Sequence, residues 1–465
     1  MKVHLLDEPP LQFASGRHID IRAGLMKYGA FSKNTQRVPS PIGVGIIGTP
    51  ATADALEEWL SNCSRGVVTS EKKLVELRPS FPGMNEEVFG TKLKIAEIRT
   101  ITRTDLEEAF ESRDPLSATV DLFLDDASDL AAKPHIHVLL VAPPAEVFNA
   151  GRPPSDDREE SDSVRHFHDI FKARALTLRA PCQLIRPDTY GGDMSRAPDA
   201  KRPSLQDLAT RAWNIHTALY YKAGGVPWRL VNPSSGQETC YVGTSFYESL
   251  DRDTLVSSVA QVFDELGEGL ILKGANARYD EEDRTPHLRE EDSRSLLWNS
   301  LQMYKREHKH MPARVVLHKT SYFDDEELDG FRQAAKDLHV RTLDLVWARP
   351  SKLRIFRAAE HAVRRGTALQ IDDATGIIYL KGTVPYYRVY PGPYVPRPVE
   401  FVREDGETPV SEIAKEMLEL SKLNFNNTQF DSGDPITLRA ARRIGDILKH
   451  VRTDDHIETQ FRYVT

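Results

Sequence analysis

The ten residues Glu238-Thr239-Cys240-Tyr241-Val242-Gly243-Thr244-Ser245-Phe246-Tyr247 carry one charge at their start, then small, β-branched and aromatic side chains, the composition of a strand. Thr254 to Asp264 and Gly269 to Lys273 read as a second and a third strand. A helix over about Asp292 to His308 follows, then a strand over Arg314 to Thr320, a helix begun by Asp324-Asp325-Glu326-Glu327, and a strand over Arg341 to Trp347.

Three strands, then helix, strand, helix, strand, is the order of an RNase H-like fold, and it makes the ends of the first and fourth strands the positions to inspect for chemistry. Upstream, Ile42 to Gly48 reads as a buried strand, Thr49-Pro50 starts a helix through Leu60, and His135 to Ala142 reads as another buried strand. The polar, acidic stretch Pro153 to Ser163 reads as a loop. A helix over about Val164 to Leu176, a strand over Cys182 to Arg186 and a helix over about Ser204 to Tyr221 complete an α/β layer pattern.

A chain of 465 residues has room for two to four domains at roughly 150 residues each. The longest apolar runs fall far short of the roughly 18 residues that cross a bilayer. The first ten residues meet acid and proline before an apolar leader could form. Cys63, Cys182 and Cys240 are odd in number and lack metal-type spacing, which suits a reducing compartment. A cytoplasmic protein with no membrane partner is expected.

The formal net charge of -8 argues against a chain that coats nucleic acid over its whole surface. Basic residues are nonetheless segregated: Val164 to Arg186 holds five against one acid, Arg341 to Gln370 seven against two, and Pro435 to Arg452 five against one. Any single run reads equally well as a solvated face, but three in an acidic chain point to a localised polyanion site.

Within Tyr220-Tyr221-Lys222-Ala223-Gly224-Gly225-Val226-Pro227-Trp228, a lysine ends a helix that a glycine pair and a proline stop. Alone this is ordinary capping. His168 and Lys172 stand at i and i+4 on one helical face, and Gln183 follows Pro181-Cys182 at a strand. Two ammonium groups, an imidazole and a carboxamide are the donors that hold a terminal phosphate. Pro435-Ile436 opens a further helix whose first turn would present Arg439 and backbone N–H groups to an anion, the competing reading being a solvated arginine.

The set His168, Lys172, Gln183 and Lys222, with the run YYKAGGVPW, resembles the guide 5′-phosphate pocket in the MID domain of short prokaryotic Argonautes. Further matches are Gly24-Leu25 to Tyr28-Gly29, Phe81-Pro82-Gly83 with Phe89-Gly90, Leu317-His318-Lys319, Leu423-Asn424-Phe425-Asn426, and Pro435 to Ala441 with Ile444-Gly445, so the resemblance spans nearly the whole chain. It implies an α/β chain: a Rossmann-like MID domain with an N-terminal segment over 1–226, then an RNase H-like PIWI domain over 227–465, without N-terminal and PAZ domains. It also implies guide-backbone contacts from Arg439, Thr437 and Arg443. A C-terminal carboxylate at Thr465 would ligate Mg²⁺ shared with the guide 5′ phosphate.

Cleaving members of that family hold two metals with an Asp-Glu-Asp-Asp/His set, since two-metal hydrolysis needs clustered carboxylates. Here Ser245 takes the place of the first catalytic aspartate and Thr320 that of the second, beside Lys319, whose charge opposes a metal. The resemblance therefore implies a chain that is not an enzyme: a guide-binding, non-slicing Argonaute. It would use a 5′-phosphorylated guide RNA to recognise complementary invader nucleic acid, expected as single-stranded DNA. Target pairing would activate a partner with an APAZ domain fused to an effector, in a heterodimer acting by abortive infection against plasmids or phage. A sirtuin-like effector depleting NAD is favoured over a TIR NADase or a nuclease. Two alternatives stay open: an active metal-dependent nuclease using displaced carboxylates such as Asp372 or Asp431, and a scaffold that binds no guide. Asp324 to Glu327 reads as helix-start acids, and Asp372-Asp373-Ala374-Thr375-Gly376 as a hairpin turn.

Overall fold

The computed structural model describes residues 1–70, 75–149, 167–191, 206–231, 238–248, 255–263, 269–279, 285–356, 362–387, 390, 395–429, 433–451 and 457–465. Asp431, the Pro153 to Ser163 stretch and the expected helix start at Val164 lie outside the described residues.

The chain opens with strand β1 (Lys2–Leu5), then builds a first layer from β2 (Ile42–Gly48), α1 (Pro50–Ser64), β3 (Leu93–Thr100), α2 (Pro115–Ala131), β4 (Val138–Ala142), α3 (Phe167–Ala175), β5 (Cys182–Leu184) and α4 (Leu208–Lys222). The four strands lie in the order β3-β2-β4-β5, all neighbours parallel. Every residue of β2 and β4 is buried, as apolar runs must be where helices cover both faces of a parallel sheet. Thr49 caps α1 in a reciprocal capping box with Thr52, and Pro50 occupies the first turn, where its missing N–H costs nothing.

The second layer contains β6 (Thr239–Glu248), β7 (Leu255–Phe263), β8 (Ile271–Asn276), α5 (Glu290–His308), β9 (Arg314–Lys319), α6 (Asp325–Asp337), β10 (Thr342–Pro350), β11 (Thr367–Gln370), β12 (Thr375–Ile378), β13 (Val399–Asp405), α7 (Val410–Leu420), α8 (Ile436–Leu448) and α9 (Phe461–Val464). Its nine-stranded sheet has the order β1-β11-β12-β13-β10-β9-β6-β7-β8. β9 is parallel to both β6 and β10, while β7 is antiparallel to β6 and β8. The segment β8-β7-β6-β9-β10 is the RNase H-like arrangement and the first layer is Rossmann-like, so the expected α/β class holds. Asp372 accepts the N–H groups of Ala374 and Thr375 at 2.8 and 2.7 Å in the β11–β12 hairpin.

Two features depart from a simple succession of layers. β1 pairs with β11, so the first strand of the chain is an edge of the second layer's sheet rather than part of the first layer. One apolar core also runs through both layers, joining Val44, Trp213 and Tyr220 to Tyr241, Val316 and Leu438. Among the described residues no helix is long and apolar enough to cross a membrane.

Helix α8 lies on β6, and the contact is made at glycines. A Cβ at Gly243 would overlap the Thr437 backbone, and one at Gly445 would come within 3.0 Å of the Tyr247 Cβ. Gly243→Ala is expected to lower the unfolding free energy by about 1–3 kcal/mol through overpacking of backbone against backbone, measured by urea denaturation.

Candidate functional site

Helix α4 is buried on every side over its last seven residues, His216 to Lys222, where the chain stops it. Gly224 has φ +97°, a conformation that suits glycine. The N–H groups of Gly224 and Gly225 close back onto the carbonyls of Tyr221 and Tyr220 at 3.0 and 2.9 Å. The Gly pair thus caps the helix and also fixes Lys222, which is 1% exposed. From α3, Lys172 is equally buried. Its Nζ donates to the carbonyl of Cys182 at 2.6 Å and to that of Thr465 at 2.7 Å. Lys222 Nζ donates to the same Thr465 oxygen, to Thr465 Oγ1 at 3.0 Å and to the Arg462 carbonyl at 3.2 Å.

Two ammonium groups on different helices therefore converge on one main-chain oxygen, and among the described residues no carboxylate side chain is one of their hydrogen-bond partners. Burial pulls the pKa of Lys172 down to about 8, with Arg443 adding repulsion. Burial and then the Lys172 charge push Lys222 well below its ordinary value. Positive charge held this way, desolvated and with no carboxylate side chain against it, favours an incoming anion.

A cavity of about 490 Å³ opens beside the pair, lined by His168, Lys172, Gln183 and Thr465 from the first layer and the chain end, and by Arg439 and Arg443 from α8. Arg443 Nη2 reaches His168 Nδ1 at 2.7 Å and Asp169 Oδ1 at 3.2 Å, tying α8 to α3. Burial lowers the pKa of His168 to about 4, so at neutral pH the imidazole is uncharged; its Nδ1 lies between Asp169 Oδ1, at 2.9 Å, and Arg443 Nη2. Gln183 donates Nε2 to the Leu184 carbonyl at 3.1 Å, while its Oε1 is buried without a hydrogen-bond partner among the described residues.

The structure thus brings together His168, Lys172, Gln183, Lys222, Arg439, Arg443 and Thr465. It does not bring in Thr437. That residue is fully buried, and its Oγ1 meets His318 Nδ1 at 2.8 Å on the sheet side of α8, so the expected backbone contact is corrected: one helical step separates it from the cavity face. Arg442, Asn424 and Asn426 also line the cavity. The i, i+3 and i+4 spacing of Arg439, Arg442 and Arg443 was the signal for the first of these. The tail is docked, with Phe461, Tyr463 and Val464 buried. For Mg²⁺, the cavity offers Gln183 Oε1 and the oxygens of Thr465, with Asp434 and Asp446 already paired to Arg442 and Arg443, beside two lysines and three arginines. That set fits a divalent cation only when it arrives with an anion.

At the other candidate position, the last paired residues of β6 and β9 are Thr244 and Lys319. Ser245 and Thr320 follow them by one position at the same end of two parallel strands. Beside them, fully buried Lys319 pairs with fully buried Glu327 at 2.5 Å. Glu327 also accepts from the His287 ring at 2.9 Å and from the Leu288 N–H at 2.9 Å. Asp324 caps α6 and pairs with Arg278. His287, Asp324 and Glu327 are close enough to share a metal, but Lys319 and Arg278 already neutralise their carboxylates. The helix-start reading of these acids is matched by the capping box, while the buried pairing of Glu327 with Lys319 is an addition.

No protein-family model matches the chain, and no curated protein matches it. Solved structures do. An Argonaute of Clostridium butyricum, bound to a guide DNA and a 19-mer target DNA, matches with a TM-score of 0.67 at 14% identity over 98% of this chain and 54% of its own. The A. aeolicus Argonaute gives 0.60 at 17% identity over 98% and 54%. An Argonaute of Marinitoga piezophila in complex with 5′ OH guide RNA gives 0.57 at 12% over 100% and 59%. The chain has an Argonaute fold and spans little more than half the length of these proteins.

Proposed function

We propose that this chain is a short prokaryotic Argonaute that anchors the 5′ phosphate of a guide strand on Lys172 and Lys222, with His168, Gln183, Arg439 and Arg443 around it. The observation that carries the reading is the pair of buried ammonium groups with no carboxylate side chain to balance them. Phosphate oxygens supply that balance with short, charge-assisted hydrogen bonds. Mg²⁺ would enter with the phosphate, held by Gln183 Oε1 and the carboxylate of Thr465, and would supply further charge neutralisation. The guide, in this reading RNA, then leaves recognition of a complementary single-stranded DNA to base pairing.

The same reading has the chain pair but not cleave its target. What supports this is hydroxyls at Ser245 and Thr320, with a lysine ammonium against Glu327 where a metal ion would need that carboxylate. Asp372, the displaced-carboxylate candidate, spends its oxygen on its own hairpin, and β13 and β10 separate that hairpin from β9. The purified chain loaded with a 5′-phosphorylated guide is expected to leave a labelled complementary strand intact in Mg²⁺ or Mn²⁺. Metal-dependent cleavage at a fixed position would overturn the non-slicing assignment. We further propose a cytoplasmic heterodimer with an APAZ-containing effector, a sirtuin-like NADase being favoured, in defence against plasmids or phage. The resemblance to short Argonautes is its only support.

The deciding experiment is direct: purify the chain with its genomic neighbour, sequence the co-purifying nucleic acid and record its 5′ ends. Short 5′-phosphorylated strands of narrow length are expected. Their absence, with equal affinity for added 5′-phosphate and 5′-hydroxyl oligonucleotides, would favour the scaffold instead.

A further inference from the structure

A second cavity, of about 270 Å³, adjoins the first. Phe461 lines both; Gln460 and Arg462 face this one, Val464 and Thr465 the other, so the chain's last residues form the partition. The walls are of two kinds. Tyr221, Tyr304 and His308 offer rings, with those of Tyr304 and His308 stacked at 4.1 Å and 21°. Gly224, Gly225 and Gly269 offer bare main chain, which a flat ligand can approach closely.

Charge is present as well. Arg37 and Arg462 border the cavity, and Arg462 Nε is buried with no hydrogen-bond partner among the described residues. A buried donor left unmade is costly unless a ligand accepts from it. Glu307 and Gln460 add acceptors suited to amino and hydroxyl groups. Aromatic surface for a planar ring, an unpaired guanidinium N–H for an anion, and room for one unit rather than a strand together define the occupant.

We propose that this cavity binds a free nucleoside monophosphate, its base against Tyr304 and His308 and its phosphate on Arg462 and Arg37. The binding stands apart from the guide reading. Its consequence rests on that reading: the Arg462 carbonyl accepts from Lys222, so a nucleotide that shifts Arg462 changes guide affinity, and the guide changes nucleotide affinity by the same factor.

Calorimetric titration of the full chain with AMP, GMP, CMP and UMP tests it. At least one is expected to bind with one-to-one stoichiometry. His308→Ala and Arg462→Gln, each checked for an unchanged thermal melt, should weaken it at least tenfold, and Lys172→Met with Lys222→Met, which removes the hydrogen bond to the Arg462 carbonyl but no cavity-lining side chain, should weaken it by less. No binding of any of the four to the unaltered chain at millimolar concentration overturns the proposal. So does loss of binding in the double lysine variant with retention in the other two, because the nucleotide would then occupy the guide cavity.

Discussion

Lys172→Met with Lys222→Met should abolish the preference for 5′-phosphorylated over 5′-hydroxyl oligonucleotides while leaving the fold at least as stable. Each lysine offers a charge-assisted contact of about 1.5–3 kcal/mol, so affinity for the phosphorylated strand should fall at least tenfold, and about 100-fold if the two add. Stability should move the other way, because both ammonium groups are buried without a carboxylate side chain and methionine fills similar volume without the desolvation cost. pH gives an independent handle. With the Lys172 pKa lowered to about 8, the folded chain gives up that proton before the unfolded chain does. Phosphate preference should therefore decline as pH rises through 8, and folding stability should gain between about pH 8 and the ordinary lysine value near 10.4. Fluorescence anisotropy with paired oligonucleotides at pH 7 and pH 9, together with thermal melts, checks both signs. A double variant that keeps its phosphate preference would remove the lysines from the site.

Glu327→Ala should cost about 3–5 kcal/mol, since it strands the Lys319 ammonium in the interior and leaves His287 and the Leu288 N–H without their acceptor. Pairing the change as Glu327→Gln with Lys319→Met should recover most of the loss: the amide still accepts from Leu288, and no charge remains. Burial raises the Glu327 pKa, but the His287 and Lys319 hydrogen bonds and the Lys319 charge outweigh it and leave the carboxyl below its usual value. The stabilisation is thus present above about pH 4.5 and lost as acid protonates the group in the folded chain. Denaturant melts of the single and double variants test this. A single variant as stable as the double would mean that Lys319 finds water or another acceptor.

The lysine cavity is legible in the sequence to the extent that its parts are local. A helix stop at Gly224, the i, i+4 pair His168 and Lys172, and a strand at Cys182 can each be read from a dozen residues. Thr437 could not be placed that way, because the face that α8 turns to the sheet is set by Gly243, remote in sequence. Strand β3 escaped for a different reason. Leu93–Thr100 mixes Lys94, Glu97 and Arg99 with apolar residues, the pattern of a sheet edge rather than the continuous apolar run of a central parallel strand. The Lys319–Glu327 pair was half visible, since a capping glutamate and a strand lysine were each identified but not their burial together.

Strand β1 carries one more implication. Its residues leave the ribosome several hundred residues ahead of their partners in β11. Glu8, just beyond β1, is likewise held by Arg365 and Lys422. Vectorial synthesis therefore leaves the leading segment waiting until the far edge of the sheet emerges, a long-range closure of the kind that folds slowly. For the same reason the molecule cannot be cut near residue 226 into two self-sufficient halves. The later half alone would keep an unprotected sheet edge and two buried cations stripped of their shared carboxylate, and adding back a peptide of the first twenty residues should repair both.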